Sequence, residues 1–398
     1  MRFTKDMTMK IGRRALALAF VFLAFVPRVE AVVELTDPGQ SVRANGMGGA
    51  YTAVVMDSDS FFYNPAGLSR HSGFSWTVFD PGVGVGGVDS IQSAQSVLTG
   101  GSANMASNLG ALYGKKIFAS GNAKSAVILP GVAFTGFANG QAQFNLHNPA
   151  ATTMNLNYFF DYGFALGTGF SLIPGVWHHG IVGRRVNRTG TSLPLGSATL
   201  AQLDFAALET EFKRRGTGYG LDYGSVLTIP GPVAPAFSFV YRDIGYTSFT
   251  HEEGAGAPPR TEPEMVIGAS LKIDALIASI TPAIDYRFAQ RTDVQMGKKL
   301  HLGVEVSLPL IDIRAGLNQG YYTLGVGMNL GVLRADVATY GVELGEYPGQ
   351  LEDRRYMAQV TFELGFDPGM FGFGGGSGSG SDGGGGSGGG RSRLKQRR

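Results

Sequence analysis

Charged side chains recur on one face of an alternating pattern in the C-terminal half of the chain: Asp285 and Arg287, Glu305, Asp312 and Arg314, Arg334 and Asp336, and Glu363. Acids and bases interleaved in this way can brace one structural layer against another or select an ion. Their sequence neighbours are apolar and point the other way. In lipid, an Arg or Lys on the exposed face at mid-depth costs about 2–4 kcal/mol, so the pattern places these charges in a lumen. Bracing the wall or an inserted plug is the ordinary use of such a ladder, and Arg314 and Arg334 are the expected anchors of a plug. The other groups with chemical potential are weaker signals. None of the six histidines, His71, His147, His178, His179, His251 and His301, stands in a nucleophile or metal-site pattern. Asp57-Ser58-Asp59-Ser60 lacks the glycine and distal glutamate of a calcium loop, and helix capping accounts for it better. No glycine-rich phosphate loop is present. The sequence therefore predicts no enzyme, no cofactor and no metal site.

The elements that carry the ladder are segments of about ten residues with period-two alternation, the length a tilted strand needs to cross a bilayer. In Tyr321 to Leu330, Tyr322, Leu324, Val326, Met328 and Leu330 share one face, while Thr323, Gly325, Gly327 and Asn329 share the other. Working back from Phe366, strands are expected near 355–366, 331–340, 321–330, 310–317, 299–308, 276–288, 263–273, 233–243, 217–229, 178–188, 153–172, 141–147, 125–137 and 74–80. That makes about fourteen, even as in bacterial barrels. The segment 153–172 is long enough for one bulged strand or two. Every other connection is short, closed by Gly331, Pro309, Asp274, Pro230-Gly231-Pro232 or Ile173-Pro174-Gly175, whereas 81–124, 189–216, 244–262, 289–298 and 341–354 are long. Short turns at one end and long loops at the other separate an outer-membrane barrel from a soluble sandwich. The short turns and both barrel termini belong in the periplasm. Loop stretches near 90–113 and 197–213 have compositions that suit short helices.

Bulk composition agrees with this reading. Charged residues are 16% of the 398, against roughly 25% in soluble domains, glycine reaches 61, and the net charge is only +2. That balance excludes a dedicated nucleic-acid binder, which needs a clustered basic excess. Cysteine is absent, which removes disulfides and thiolate chemistry. Arg2, Lys5, Lys10, Arg13 and Arg14 precede an apolar run from Ala15 to Val26, and Val29-Glu30-Ala31 offers a cleavage site. The run is too short for a transmembrane helix and reads as a general secretion signal. The expected organisation is a signal peptide over 1–31, an N-terminal helical plug over 32–73, an all-β closed antiparallel transmembrane barrel over 74–366, and a disordered Gly/Ser-rich basic tail over 367–398.

The plug segment carries Gly46-Met47-Gly48-Gly49-Ala50-Tyr51-Thr52-Ala53 and then Phe61-Phe62-Tyr63-Asn64-Pro65-Ala66-Gly67-Leu68. Asn before Pro suits a helix start, since Asn can bond free N–H groups and Pro needs no donor there. At these residues the chain resembles the FadL/TodX family of outer-membrane transport barrels, with its PorV-like and TraF-like relatives. The resemblance implies a hatch folded into the barrel, with Asn64, Pro65 and Ala66 as hatch residues and Gly67, Leu68, Phe61, Phe62 and Tyr63 beside the ligand path. It implies passive uptake of a hydrophobic small molecule, with outer-membrane lipid and the outer-membrane assembly machinery as partners. The family's lateral opening at a kinked early strand has 153–172 as its candidate here. A second reading, carried by the PorV-like and TraF-like relatives, is a non-transporting accessory of a secretion or conjugation system. Mass spectrometry of protein extracted from membranes should find the mature chain beginning at Val32; an intact leader would contradict the export signal.

Overall fold

A computed structural model describes residues 40–71, 73–88, 90, 113–147, 153–196, 205–275 and 277–366. The expected leader, the first part of the plug (32–39), the expected helix over most of 90–113 and the tail lie outside the described residues.

Sixteen hydrogen-bonded segments fill fourteen strand positions in one antiparallel sheet. The first position, β1, holds Phe74–Phe79 and Gly82–Gly86. There follow β2 (Lys116–Leu129), β3 (Val132–His147), β4 (Thr153–Ile173), β5 (Trp177–Gly196), β6 (Arg215–Thr228) and β7 (Ala236–Arg242). Next come β8 (Glu264–Ser270 with Ile273–Asp274), β9 (Ser279–Tyr286), β10 (Leu300–Ser307) and β11 (Ile311–Asn318). The set ends with β12 (Tyr321–Asn329), β13 (Leu333–Glu343) and β14 (Glu352–Phe366). Both pieces of β1 pair with β14 on one side and β2 on the other, so the sheet closes on itself. Closure leaves no edge, which is what a strand structure in hydrocarbon requires.

The alternation read from sequence becomes inside and outside. Leu324, Val326, Ile313, Phe134, Phe164 and Val360 are exposed on the outer face. Arg314, Asp336, Glu305 and Thr323, on the opposite parity, are buried in the lumen. Strand length is uneven: β4 and β5 run to 21 and 20 residues, whereas β9, β10 and β11 have 8 each. One side of the barrel therefore stands taller at the loop end. Among the described residues the expected helix near 197–213 appears as Phe205–Phe212.

Two expectations about the early strands are corrected. The strands placed at 125–137 and 141–147 are in fact β2 and β3, a hairpin that turns at Pro130-Gly131 with Gly131 at φ +83°. Pro130 has no N–H to give the ladder and Gly131 tolerates the left-handed turn, whereas Gly140, between the two expected strands, lies mid-strand opposite Gly121 and Phe160. The segment 153–172 is one strand, bulged only between Ser171 and Ile173, and unbroken against β3. The interruption of an early strand lies instead in β1, between Thr77 and Gly82, where pairing with β2 lapses.

At the middle of β12, Leu324→Arg should lower the unfolding free energy of the barrel in lipid vesicles by about 2–4 kcal/mol. Urea titration checks this, and a cost near zero would place Leu324 out of the bilayer.

Candidate functional site: the plug and its dock

The segment from Gln40 to Arg70 lies inside the barrel and is almost entirely buried. It is built from very short helices, each with a local capping reason. Ser41 caps Val42–Gly46, accepting from the Ala44 N–H. Asp57 caps the 3₁₀ turn Ser58–Phe61, accepting from the Asp59 N–H at 3.0 Å. Asn64 caps Pro65–Arg70: its Oδ1 accepts from the Ala66 N–H at 3.0 Å, and its Nδ2 donates to the Thr52 carbonyl at 2.7 Å. Asn64 is fully buried, so it both starts one turn and ties it to the preceding loop.

Short helices leave most of their backbone groups without internal partners, and the wall supplies them. Asp285 accepts from the Tyr51 and Thr52 N–H groups at 2.9 Å each and from the Thr52 hydroxyl at 2.8 Å. Gln359 Oε1 accepts from the Val42 N–H, and the Thr323 hydroxyl donates to the Gly46 carbonyl. His301 Nδ1 lies 2.8 Å from the Gly48 carbonyl and Arg242 donates to the Phe62 carbonyl. Glycines on the wall let these backbones touch. A Cβ at Gly224 would lie 2.0 Å from Asn64 Oδ1, and one at Gly303 2.2 Å from the Met47 carbonyl oxygen.

The charge ladder forms one side of this dock. Arg43 of the plug grips Glu305 with two hydrogen bonds, 2.6 and 2.8 Å, the bidentate geometry that suits arginine and a carboxylate. Arg314 joins Glu305, Asp336 and Asp312 at 2.7, 2.7 and 3.2 Å, and Arg334 adds a second bond to Asp336. Arg314 and Arg334 were expected to hold the plug directly. Their bonds are instead to wall carboxylates, and the plug's own Arg43 makes the contact, because a plug that brings a cation and free N–H groups needs acids from the wall. Arg287 pairs with Glu264. Glu363 stands apart, accepting from the Ser75 hydroxyl on β1.

Several participants went unrecognised in the sequence. Lys124 on β2 bonds both Asp59 of the plug and Asp80. Asp80 sits at the interruption of β1, where Gln359 and Thr361 also donate to it. Arg184, Asp222 and Asp243 form a further cluster, and Arg242 pairs with Glu264. For Lys124, Arg184, Asp222, Arg242 and Glu264 the signal was present, since each lies on the inward parity of its strand, whereas Asp80 and Asp243 lie just past strand ends. Within the plug, burial and then the neighbouring Asp59 carboxylate push Asp57 above the ordinary aspartate range.

The other side of the dock is apolar. Phe61, Phe62, Leu68 and Val55 join one cluster with Ile128, Phe137, Val182, Val186 and Phe249 of the wall and loops. The Phe62 and Phe137 rings meet edge to face at 5.3 Å. Phe61, Phe62 and Tyr63 are 0, 3 and 2% exposed. An open apolar cavity beside them would leave their rings accessible, so in this state the expected ligand path is closed by packing. An apolar groove of about 460 Å³ lies instead on the lipid-facing surface, over Val83, Val85, Leu324, Val326, Tyr356 and Ala358. Among the described residues no group of three or more His, Asp or Glu is placed to hold a metal ion.

Fold and dock together define a plugged β-barrel of outer-membrane type. In structure the chain is similar to the Pseudomonas putida toluene transporter TodX, at 10% identity and a TM-score of 0.46, covering 83% of this chain and 99% of that one. It is similar to the monoaromatic hydrocarbon channel CymD, at 9% and 0.45 over 85% and 98%. A FadL homologue of Pseudomonas aeruginosa gives 11% and 0.44 over 84% and 100%. No protein-family model and no curated sequence matches the chain.

Replacing Arg314 by Met should cost about 3–5 kcal/mol of stability, because three wall carboxylates lose a shared buried partner. Asp285→Asn should cost less, about 1–3 kcal/mol, since an amide oxygen still accepts part of what the carboxylate accepted. Urea unfolding in vesicles orders the two; a larger loss for Asp285→Asn would show that the backbone contacts, not the ion pairs, dominate the dock.

Proposed function

We propose that the protein is an integral outer-membrane channel, exported through a cleaved leader, that admits hydrophobic small molecules past a movable hatch. The observation that carries this reading is the two-sidedness of the plug. On the side of Arg43, Tyr51 and Thr52 it is tied to β9 and β10 by ion pairs and backbone hydrogen bonds. On the side of Phe61, Phe62 and Leu68 it meets β2 to β5 through apolar contact. Separating the second face breaks fewer polar bonds, those of Lys124 to Asp59, Ser69 to His178 and Arg242 to the Phe62 carbonyl, and the space exposed there is lined mainly by apolar side chains. That is the face that can part for an apolar solute while the first acts as the hinge. The segment Asn64, Pro65, Ala66, Gly67 and Leu68 packs against β4, β5 and β6, while the interruption of β1 lies next to the outer apolar groove.

A second reading, a non-transporting accessory of a secretion or conjugation system, draws on one specific observation: the rings along the expected ligand path are sealed. It calls for a stable partner on the loop surface and no solute flux.

Liposome swelling and hydrophobic-ligand uptake, compared between the intact protein and a variant lacking residues 32–70, separate the two. The channel reading expects a clear rise in flux on deletion and measurable apolar uptake by the intact protein. Heat-dependent gel mobility reports whether the variant still folds; Phe62→Ala, which loosens only the apolar face, is the milder variant and should raise uptake in the same direction. Absence of apolar uptake by the intact protein, with a partner co-purifying, would overturn it.

A further inference from the structure

The lumen wall on β2, β3 and β4 has a chemistry that neither the dock nor the apolar path uses. Going toward the loop end, its inward positions turn to uncharged polar residues: Ser120, Asn122, Gln141, Gln143, Asn145 and Asn157. Ser120 lies directly opposite Gln141, and Gln143 opposite Asn157. Asn157 donates to Gln143 Oε1 at 2.9 Å, and Gln40, where the described plug begins, donates to Gln141 Oε1 at 3.3 Å. The neighbouring strand adds no side chains, because its inward residues are Gly82 and Gly84. A Cβ at either would meet Asn122 Oδ1 at 2.3 Å or Ser120 Oγ at 2.4 Å, so these two side chains lie across a bare stretch of wall.

Hydrogen-bonding capacity in this patch is unfilled. Among the described residues, Asn122 Oδ1, Gln40 Oε1, Asn145 Oδ1 and Ser120 Oγ are buried without a hydrogen-bond partner, and Asn122, Gln40 and Asn145 are only 8, 8 and 4% exposed as residues. A carboxamide has both a donor and an acceptor end, so reversing any of these amides leaves one end unfilled. The charged groups nearby are engaged: Lys124 by Asp59 and Asp80, Arg188 by Asp161, Arg355 by Asp353, and Lys116, opposite Asn145, by the Glu352 carbonyl. What the wall offers a ligand is therefore neutral donors and acceptors at close spacing, together with Phe159, which pairs with Gln141 on the same face.

We propose that this carboxamide wall, packed closed in this state, opens to bind a neutral polyhydroxylated solute, a saccharide or polyol. Hydroxyl groups donate and accept at once, which matches carboxamides better than an anion or a cation does, and the C–H face of a sugar ring tolerates an aromatic neighbour. The site stands independently of the apolar path, so sugar binding and apolar uptake can each fail alone.

The test is isothermal titration of the full barrel in lipid nanodiscs with glucose, maltose, sucrose and sorbitol, with gluconate and glucosamine as charged controls. At least one neutral solute should bind, and the charged controls should bind more weakly. Asn122→Leu and Gln141→Leu should each weaken binding by at least about tenfold, while Val326→Ala on the lipid face should leave it unchanged. Heat-dependent gel mobility shows that each variant is folded. Absence of binding by any neutral solute, equal binding in the Asn122→Leu and Gln141→Leu variants, or preference for a charged control would overturn the proposal and leave water as the occupant of the patch.

Discussion

Hydrocarbon offers no hydrogen-bond partners, so a strand structure within it must close, and here closure falls on β1. That strand holds β14 on one side and β2 on the other, in two pieces separated by Asp80-Pro81. Everything else follows from the closed wall. Outward positions can only be apolar, and whatever is polar or charged must face inward. A barrel of about eight strands is filled by its own side chains, whereas fourteen leave room for a folded segment. The plug from Gln40 to Arg70 fills that space.

The plug creates its own demand. A chain of turns and four- to six-residue helices exposes far more backbone N–H and C=O than a long helix would, and in a lumen these groups need partners. Asp285, Gln359, Thr323, His301 and Arg242 answer that demand at the backbone, and the Arg43–Glu305–Arg314–Asp336 chain answers it at the side chains. Burying such a chain of charges gives little net stability, while removing one member is costly. Its effect is to fix where the plug sits. On the opposite side apolar contacts around Phe62 and Phe137 predominate and directional bonds are fewer, Lys124 to Asp59, Arg242 to the Phe62 carbonyl and Ser69 to His178, so the two sides of one plug differ in how they can yield.

The late strands were legible because lipid on one face forces a strict period of two, as in Tyr322, Leu324, Val326 and Met328. The early strands were less so. Around Ala138-Asn139-Gly140 the chain carries turn-forming residues, yet pairing with β2 and β4 keeps it extended, while the actual turn needed only Pro130-Gly131. In the plug, the Asn64-Pro65 cap could be read locally, whereas the role of Arg43 could not, because its partner Glu305 is 262 residues away and no periodicity links them. The inward charges of β9 to β13 were recognised. Those of β5 to β8, Arg184, Asp222, Arg242 and Glu264, obey the same parity but sit among glycines and aromatics that blur it.

Closure through the first strand is best tested by cross-linking. The chain has no cysteine, so Val83→Cys with Ala358→Cys, directly opposite across the seam between β1 and β14, gives a single possible disulfide. In outer membranes, mild oxidation should join the two and shift the mobility of the denatured protein. If the pair stays reduced while a pair within a hairpin, Ala119→Cys with Ala142→Cys on β2 and β3, oxidises fully, the barrel is not closed as described.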